Sequence, residues 1–188
     1  RQVFLAAREL NMNRISESAK TWLNMHLKYT HGYGAAVSPV NAVTPQGQPE
    51  LFVRNIPPVS NTDLVITQPE IYFGELTDHY IVVNTGEMEF DYPMGEDNAE
   101  IMYEGEAGIR LNGLNRLLYA LRERSARLFL SGSITGDSRI IFDRNVMDRI
   151  QKIAPFLLYD EDPYLVIHEG RLFWMLDAFT IGLSLIHI

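Results

Sequence analysis

The sequence predicts an α+β domain with a mainly antiparallel sheet, a few amphipathic helices and a C-terminal β-hairpin. Short runs of β-branched and aromatic residues are separated by Gly and Pro, a pattern typical of strands joined by turns. Other segments repeat Leu or Ile at helical spacing. Hydrophobic residues make up 46% and charged residues 21% of the 188 residues. A chain of this length and composition can bury a substantial core.

The N-terminal region begins with one predicted strand and one predicted helix. Val3–Ala7 is a continuous apolar run that fits a buried strand. Ser16 is a candidate N-cap, and apolar residues recur at helical spacing up to Tyr29, which predicts an amphipathic helix. His31 and Gly32 follow, and we expect glycine to supply a left-handed cap while the imidazole meets the carbonyl end of the helix.

The segment between residues 32 and 58 is rich in Gly, Pro, Asn and Gln. Each proline biases the preceding residue toward an extended conformation, so an ordered, extended loop is predicted. Three strand-type runs follow, separated by glycines. These runs are Glu70–Phe73, Tyr80–Val83 and Met88–Phe90, and we expect them to form one small sheet.

Two further amphipathic helices are predicted in the second half of the chain. Apolar residues at helical spacing from Val146 to Ile153, followed by Pro155, indicate one of them. The other is marked by four leucines at the same kind of spacing, Leu114, Leu117, Leu118 and Leu121.

A β-hairpin is predicted near the C-terminus. Glu169-Gly170 joins the strand runs Tyr164–His168 and Arg171–Leu176, and glycine tolerates the positive φ of a tight two-residue turn. Both faces of these strands carry apolar side chains. We therefore expect the hairpin to be covered on both sides.

Overall charge and composition exclude several classes of function. The formal net charge is −8, and no stripe of Lys and Arg is interleaved with aromatic residues, so no nucleic-acid partner is expected. The absence of cysteine excludes disulfides, thiolate metal sites and a cysteine nucleophile.

Charge is distributed unevenly along the chain. Between Arg54 and Arg110 the only charged side chains are acidic, whereas arginine predominates from Arg110 to Lys152. The favoured interpretation is a solvated acidic sheet edge that faces a basic helical layer. The alternative is that the two blocks attract one another within the fold or across a subunit contact.

Two acidic runs are candidate sites for a hard cation such as calcium, which prefers six to eight oxygen ligands. Neither run has the regular spacing of a calcium-binding helix-loop-helix, and the second also fits a simple turn that enters the hairpin. No other cofactor is expected. The candidate ligands are Asp91, Glu96 and Asp97 in one run, and Asp160, Glu161 and Asp162 in the other.

Common enzyme signatures are missing from the sequence. It contains no phosphate-binding glycine loop with Lys, no His-Glu-x-x-His zinc helix and no serine at the spacing of a nucleophile elbow. This pattern favours a binding or assembly role over catalysis. The alternative is a hydrolase with dispersed carboxylates, for which Asp91, Asp160 and Asp162 are the candidates.

The C-terminal residues bear on the limits of the domain. Leu172–Ile188 is the most apolar stretch, but it is shorter than the roughly 20 residues of a spanning helix and contains Asp177. Residues 183–188 look like translated adapter sequence, and we expect a non-native tail there. Residues 1–182 are expected to be a fragment of a longer protein, folded as one domain.

Several strings of residues resemble those of a known protein family. They occur in the family's order and cover nearly the whole chain. The most specific string extends from Tyr29 to Asn41 and contains Tyr29-Thr30-His31-Gly32-Tyr33-Gly34. These strings resemble those of uncharacterised protein family 0182. The others include Gly47–Pro49, Ile56–Pro58, Ile71–Glu75, Glu89–Pro93, Ser138–Ile140, Ile153–Leu157 and Gly170–Trp174.

The resemblance implies a bacterial multi-pass membrane protein with N-terminal transmembrane helices and a large soluble region. This chain would then belong to the extracytoplasmic soluble region of a cell-membrane protein. Its partners would be the remainder of the parent protein and, through those helices, the membrane. We therefore expect a binding or assembly role at the cell envelope. The alternative is an envelope hydrolase, which would be cation-dependent if its carboxylates bind a metal ion.

Overall fold

The computed structural model describes residues 2–180, which form short strands and three α-helices. The helices are Gly113–Arg122 (α1), Ala126–Leu130 (α2) and Val146–Ile153 (α3). The strands are Val3–Ala7 (β1), Gly32–Tyr33 (β2), Ala35–Pro39 (β3), Val53–Arg54 (β4), Val59–Ser60 (β5), Glu70–Ile71 (β6), Ile81–Val83 (β7), Glu89–Met94 (β8), Asp97–Ile101 (β9), Ile109–Arg110 (β10), Arg139–Ile141 (β11), Leu158–Tyr159 (β12), Tyr164–His168 (β13), Arg171–Met175 (β14) and Ala178–Phe179 (β15).

The paired strands are antiparallel. One sheet has the order β1-β3-β4-β5, and a second has the order β10-β11-β7. The other strands pair two by two, β2 with β6, β8 with β9, β12 with β15, and β13 with β14. The α+β prediction with mainly antiparallel pairing is therefore confirmed.

The three-stranded sheet is buried on both faces. Val82 and Ile140 point into one core, which α1 and α2 cover through Ala120 and Leu128. Ile81, Val83 and Ile141 point to the opposite side and pack with Tyr103. Adjacent strand residues face opposite ways, so continuous apolar runs are typical of strands with cover on both faces.

A second core lies between the four-stranded sheet and the C-terminal hairpin. Ala35, Val37 and Val53 from β3 and β4 pack with Leu165 of β13. Trp174 of β14 joins this core, and its indole nitrogen donates to the carbonyl oxygen of Phe73 at 2.8 Å.

The predicted helix between Ser16 and Tyr29 is wrong as a single element. The structure has separate 3-10 turns at Met12–Arg14 and Glu17–Ala19, followed by a short π-helix at Asn24–Lys28. Asn24 explains part of the interruption, because its side chain donates to the carbonyl of Ala19 at 2.8 Å. Local side-chain hydrogen bonds of this kind compete with a regular helix.

The extended loop predicted for residues 32–58 contains strands β2, β3 and β4. In β3, Ala35 and Val37 are buried while Ala36 and Ser38 are partly exposed, which is the alternation of a strand with one covered face. The single small sheet predicted from the next three runs is wrong. Their strands, β6, β7 and β8, belong to three different sheets.

The helices predicted around the leucine repeat and before Pro155 are confirmed as α1 and α3. The side chain of Asn112 accepts a hydrogen bond from the N–H of Asn115 and caps α1. Asn145 caps α3 in the same way, through the N–H groups of Met147 and Asp148. These caps satisfy backbone donors that the first helical turn leaves free.

The predicted hairpin is confirmed, and its turn residues Glu169 and Gly170 both have positive φ, at 49° and 78°. The prediction that both faces are covered is wrong for the described residues. One face packs on the second core, while Tyr164, Phe173 and Met175 on the other face are exposed. We call the latter, with the partly buried Val166, the outer hairpin face. The proposed non-native tail at 183–188 lies outside the described residues.

Candidate functional site

A buried polar cluster lies beside the three-stranded sheet, where separate segments of the chain meet. It consists of Thr30, His31, Tyr72, Glu89 and Arg144, and all but Tyr72 are at least 95% buried. The first two residues follow the π-helix, Tyr72 follows β6, Glu89 begins β8, and Arg144 precedes the N-cap of α3. We call these five residues the polar cluster.

Arg144 holds three backbone segments together. Its Nε donates to the carbonyl oxygen of Tyr72 at 2.7 Å, Nη1 donates to that of His79 at 3.3 Å, and Nη2 donates to that of Thr30. Burial lowers the pKa of Arg144 to about 10, because desolvation disfavours the charged guanidinium. Three carbonyl oxygens thus accept hydrogen bonds from the buried guanidinium group, and these bonds fix the loops around it.

Glu89 shares an acceptor oxygen between two hydroxyl groups. Its Oε2 accepts hydrogen bonds from Thr30 Oγ1 and from Tyr72 Oη, the latter at 3.0 Å. Its Oε1 is buried and has no hydrogen-bond partner among the described residues. Burial raises the pKa of Glu89 to about 7, and the two hydroxyl donors and the charge of Arg144 only partly oppose this effect.

His31 belongs to this cluster and does not cap a helix. The π-helix ends before Tyr29, and Gly32 lies in β2 without a positive φ, so the predicted left-handed cap is wrong. The Nδ1 atom of His31 lies 3.0 Å from the carbonyl oxygen of Gly32, while Nε2 is buried without a partner among the described residues. Burial lowers the pKa of His31 to about 4, so the ring is neutral near pH 7.

The residues of the first predicted cation site lie at two places on one β-hairpin. Asp91 lies at the bulge in β8, where burial and then the neighbouring Glu70 raise its pKa to about 6. Glu96 and Asp97 lie at the tip of the same hairpin, where Asp97 pairs with Met94. Met94 lies three positions after Asp91 along the strand, which corresponds to about 10 Å.

The second predicted site is an exposed turn. Asp160, Glu161 and Asp162 lie between β12 and β13, and the N–H of Asp160 donates to the carbonyl of Asp177 at 3.0 Å. Across residues 2–180, no group of three or more His, Asp or Glu side chains is arranged to hold a metal ion. Asp160 and Asp162 also lie outside the β8–β9 hairpin that contains Asp91. Cation binding and carboxylate catalysis at these residues stay predictions.

The alternative of direct attraction between the acidic and basic blocks is not seen as ion pairs in the part of the chain that the structure describes. Within residues 2–180, no ion pair shorter than 4.0 Å joins the two blocks. Arginines of the basic block bind backbone carbonyls instead. Arg139 donates to the carbonyls of Glu106 and Gly108 at 2.7 and 2.9 Å, and Arg144 acts in the same way.

Sequence reasoning missed Glu89 and Arg144 as cluster residues. Each has a weak local signal. Glu89 lies between two apolar residues, Met88 and Phe90, and Arg144 lies two positions after the apolar run Ile140–Phe142. A buried charge needs a partner, but the sequence does not show which segment supplies it.

Among the exposed apolar side chains of residues 2–180, two groups each share one face of an element. The first is the outer hairpin face. The second lies on α1, where Leu114, Leu117, Leu118 and Leu121 are exposed. Contiguous exposed apolar surface of this kind marks sites of interaction. No helix within residues 2–180 combines the length and the apolar character required to cross a bilayer.

Comparison with known proteins identifies relatives over nearly the whole chain. A UPF0182 protein of Alkaliphilus metalliredigens is 61% identical over 182 residues, which cover 97% of this chain and 20% of the relative. UPF0182 proteins of Pelotomaculum thermopropionicum and Clostridium tetani are 51% and 50% identical, covering 96% and 95% of this chain and 20% of each relative. No solved structure matches the chain.

The chain therefore spans about a fifth of the length of these relatives and is a fragment of a larger protein. A model of the family described as uncharacterised protein family (UPF0182) matches residues 1–184. This match extends the resemblance found in the sequence strings to almost every residue. The chain belongs to the uncharacterised protein family UPF0182.

Proposed function

We propose that this chain is a binding or assembly module in the extracytoplasmic region of an integral membrane protein of the cell envelope. The membrane placement rests on the resemblance to multi-pass membrane proteins. The chain spans about a fifth of its relatives' length, which makes the rest of the parent protein available as a partner in the proposed assembly. The remaining four fifths of the parent protein provide partners for surfaces that this chain leaves exposed.

The outer hairpin face is the observation that carries the assembly role. Antiparallel pairing places Tyr164 opposite Met175 and Val166 opposite Phe173, so these four side chains form a continuous apolar surface. Tyr164, Phe173 and Met175 are exposed, although the opposite face of the same hairpin is packed. Burying such side chains against a partner is favourable, at about 25 cal/mol per Å² of apolar area.

The polar cluster supports a structural role for the interior. The guanidinium of Arg144 is occupied by backbone carbonyls, and the hydroxyl groups of Thr30 and Tyr72 are occupied by Glu89. Each of these bonds joins segments that are distant in the sequence. The buried charged side chains Arg144 and Glu89 thus stabilise the fold that presents the outer hairpin face.

The outer hairpin face is expected to be protected in the full-length protein. The chain has no cysteine, so a Phe173→Cys substitution introduces a single thiol, and Gln46→Cys in an exposed turn provides a matched control. In the isolated chain, a soluble maleimide should label both variants at similar rates. In the detergent-purified full-length protein without other cysteines, Phe173→Cys should react several times more slowly, because packing restricts access to the thiol.

The control determines how this result is interpreted. Gln46→Cys should react equally fast in the isolated chain and in the full-length protein. If Phe173→Cys also reacts equally fast in both, the outer hairpin face stays open in the parent protein. The proposed assembly role would then be wrong.

A further inference from the structure

Helix α1 presents its leucines to solvent. Leu114, Leu117, Leu118 and Leu121 are spaced as i, i+3, i+4 and i+7, which places them on one side of the helix. Leu114 is 68% exposed and Leu121 is 67% exposed. A surface helix normally turns such a stripe toward the core. We call these four residues the leucine stripe.

The contacts on the other side of α1 fix this orientation. Ala120 is buried in the core, and Tyr119 packs against the same core. Arg116 also points inward, where its guanidinium donates to the carbonyls of Leu128, Ser131 and Ile134 at distances of 3.0, 2.5 and 3.1 Å. These contacts hold α1 against α2 and leave the leucine stripe outside.

Exposed arginines lie on both sides of the leucine stripe along the sequence. Arg110 precedes α1, Arg122 lies at its C-terminal end, and Arg124 and Arg127 lie in the following turn and in α2. All four side chains are exposed. Glu123, paired with Arg122 at 3.4 Å, is the only acidic residue between positions 107 and 136. This basic region contrasts with the net charge of −8 for the whole chain.

We propose that the leucine stripe and its four arginines dock on the surface of an anionic lipid bilayer. Exposed leucines on one face of a helix, with arginines in and next to that helix, are typical of segments that lie at a membrane interface. The guanidinium groups provide donors for lipid phosphates, and the leucines enter the boundary between headgroups and acyl chains. This inference rests on the proposed function, which places the chain next to a membrane.

Charge distinguishes the bilayer from a second copy of the chain as occupant. A twofold contact through the leucine stripe would bring the same surface from both copies together. Such a contact would also bring together the arginine-rich segments of both copies, and like charges in a contact are unfavourable. An anionic bilayer offers the opposite charge over an extended area.

Vesicle co-sedimentation tests the proposal with the isolated chain. The chain should bind vesicles made of equal parts phosphatidylcholine and phosphatidylglycerol, bind phosphatidylcholine alone weakly, and be released from the anionic vesicles by high salt. Leu114→Gln/Leu121→Gln should weaken partitioning by about tenfold or more. Arg124→Gln/Arg127→Gln should remove most of the preference for phosphatidylglycerol.

A matched variant on the other apolar surface provides the control. Phe173→Gln/Met175→Gln removes similar exposed side chains from the outer hairpin face and should bind anionic vesicles as the unmodified chain does. Circular dichroism should show the same fold for all variants, because the substituted side chains are exposed. If the double leucine variant fails this check, the single substitution Leu118→Gln replaces it.

Three results would overturn the docking proposal. The unmodified chain does not bind anionic vesicles, or the leucine and arginine variants bind as well as it does, or light scattering shows a dimer that Leu114→Gln/Leu121→Gln converts to a monomer. The maleimide experiment at Phe173 uses a different surface and no lipid. The docking proposal can therefore fail while the assembly role stands, and the reverse also holds.

Discussion

Replacement of Arg144 with methionine is expected to lower the free energy of unfolding by about 3–5 kcal/mol. Methionine has a similar length but donates no hydrogen bonds, so the carbonyls of Thr30, Tyr72 and His79 lose their guanidinium donors. Each buried carbonyl without a partner costs about 1–3 kcal/mol. Removal of the desolvated charge offsets part of this loss. Urea unfolding followed by circular dichroism measures the change.

Two further substitutions separate the guanidinium geometry from its charge. Arg144→Lys keeps the positive charge but cannot reach three divergent carbonyls with one ammonium group, so an intermediate loss is expected. Arg54→Met removes an exposed arginine and should change stability by less than about 0.5 kcal/mol. If Arg144→Met costs no more than this control, the three-carbonyl contact is not a major stabilising feature.

Replacement of Glu89 with glutamine is expected to remove a pH-dependent loss of stability. The pKa of Glu89 is about 7 in the folded chain and 4.5 without burial. Between these pH values the folded state retains a proton that the unfolded state releases, so stability falls as pH rises. The penalty is absent below pH 4.5 and complete above pH 7. Its size is about 3 kcal/mol.

The informative quantity is the difference between the unfolding free energies of Glu89→Gln and the unmodified chain. It should increase by about 3 kcal/mol in favour of the variant between pH 4.5 and pH 8. Other titrating groups, including Asp91, cancel in this difference. The exposed Glu96→Gln should show no such increase. A difference that is constant over this pH range would contradict the assigned ionisation of Glu89.

Elements with strong local signals could be predicted from the sequence. The hairpin is determined by its turn, because Glu169-Gly170 accepts positive φ at both positions and sets the register of β13 and β14. Helices α1 and α3 each have a periodic apolar pattern and an asparagine cap. These features act within a few residues, so neighbouring sequence is sufficient to recognise them.

Elements that depend on distant partners could not be predicted. Strand β3 pairs with β1 across about thirty residues, and its proline-rich surroundings indicated a loop. The orientation of α1 could not be predicted either, because sequence periodicity identifies the apolar face of a helix but not whether that face points to the core or to solvent. The inward contacts of Arg116 decide that direction, and they involve carbonyls up to 18 residues away.

The polar cluster depends even more strongly on non-local contacts. Arg144 binds the carbonyl of Thr30 across 114 residues, and Glu89 accepts from Thr30 across 59 residues. The sequence therefore suggested exposed acidic runs as sites, since those residues are adjacent in the chain. The structure instead groups single charged residues that the sequence separates.

The membrane placement is tested most directly by thiol accessibility in intact bacteria that produce the full-length protein. The residue to use is Gln46, in the exposed turn, changed to cysteine on a background without other cysteines. A membrane-impermeant maleimide should label Gln46→Cys in intact cells after the outer layers are made permeable to the reagent, and the labelled protein should fractionate with the membranes. Labelling only after lysis of the inner membrane, with the protein in the soluble fraction, would contradict the account.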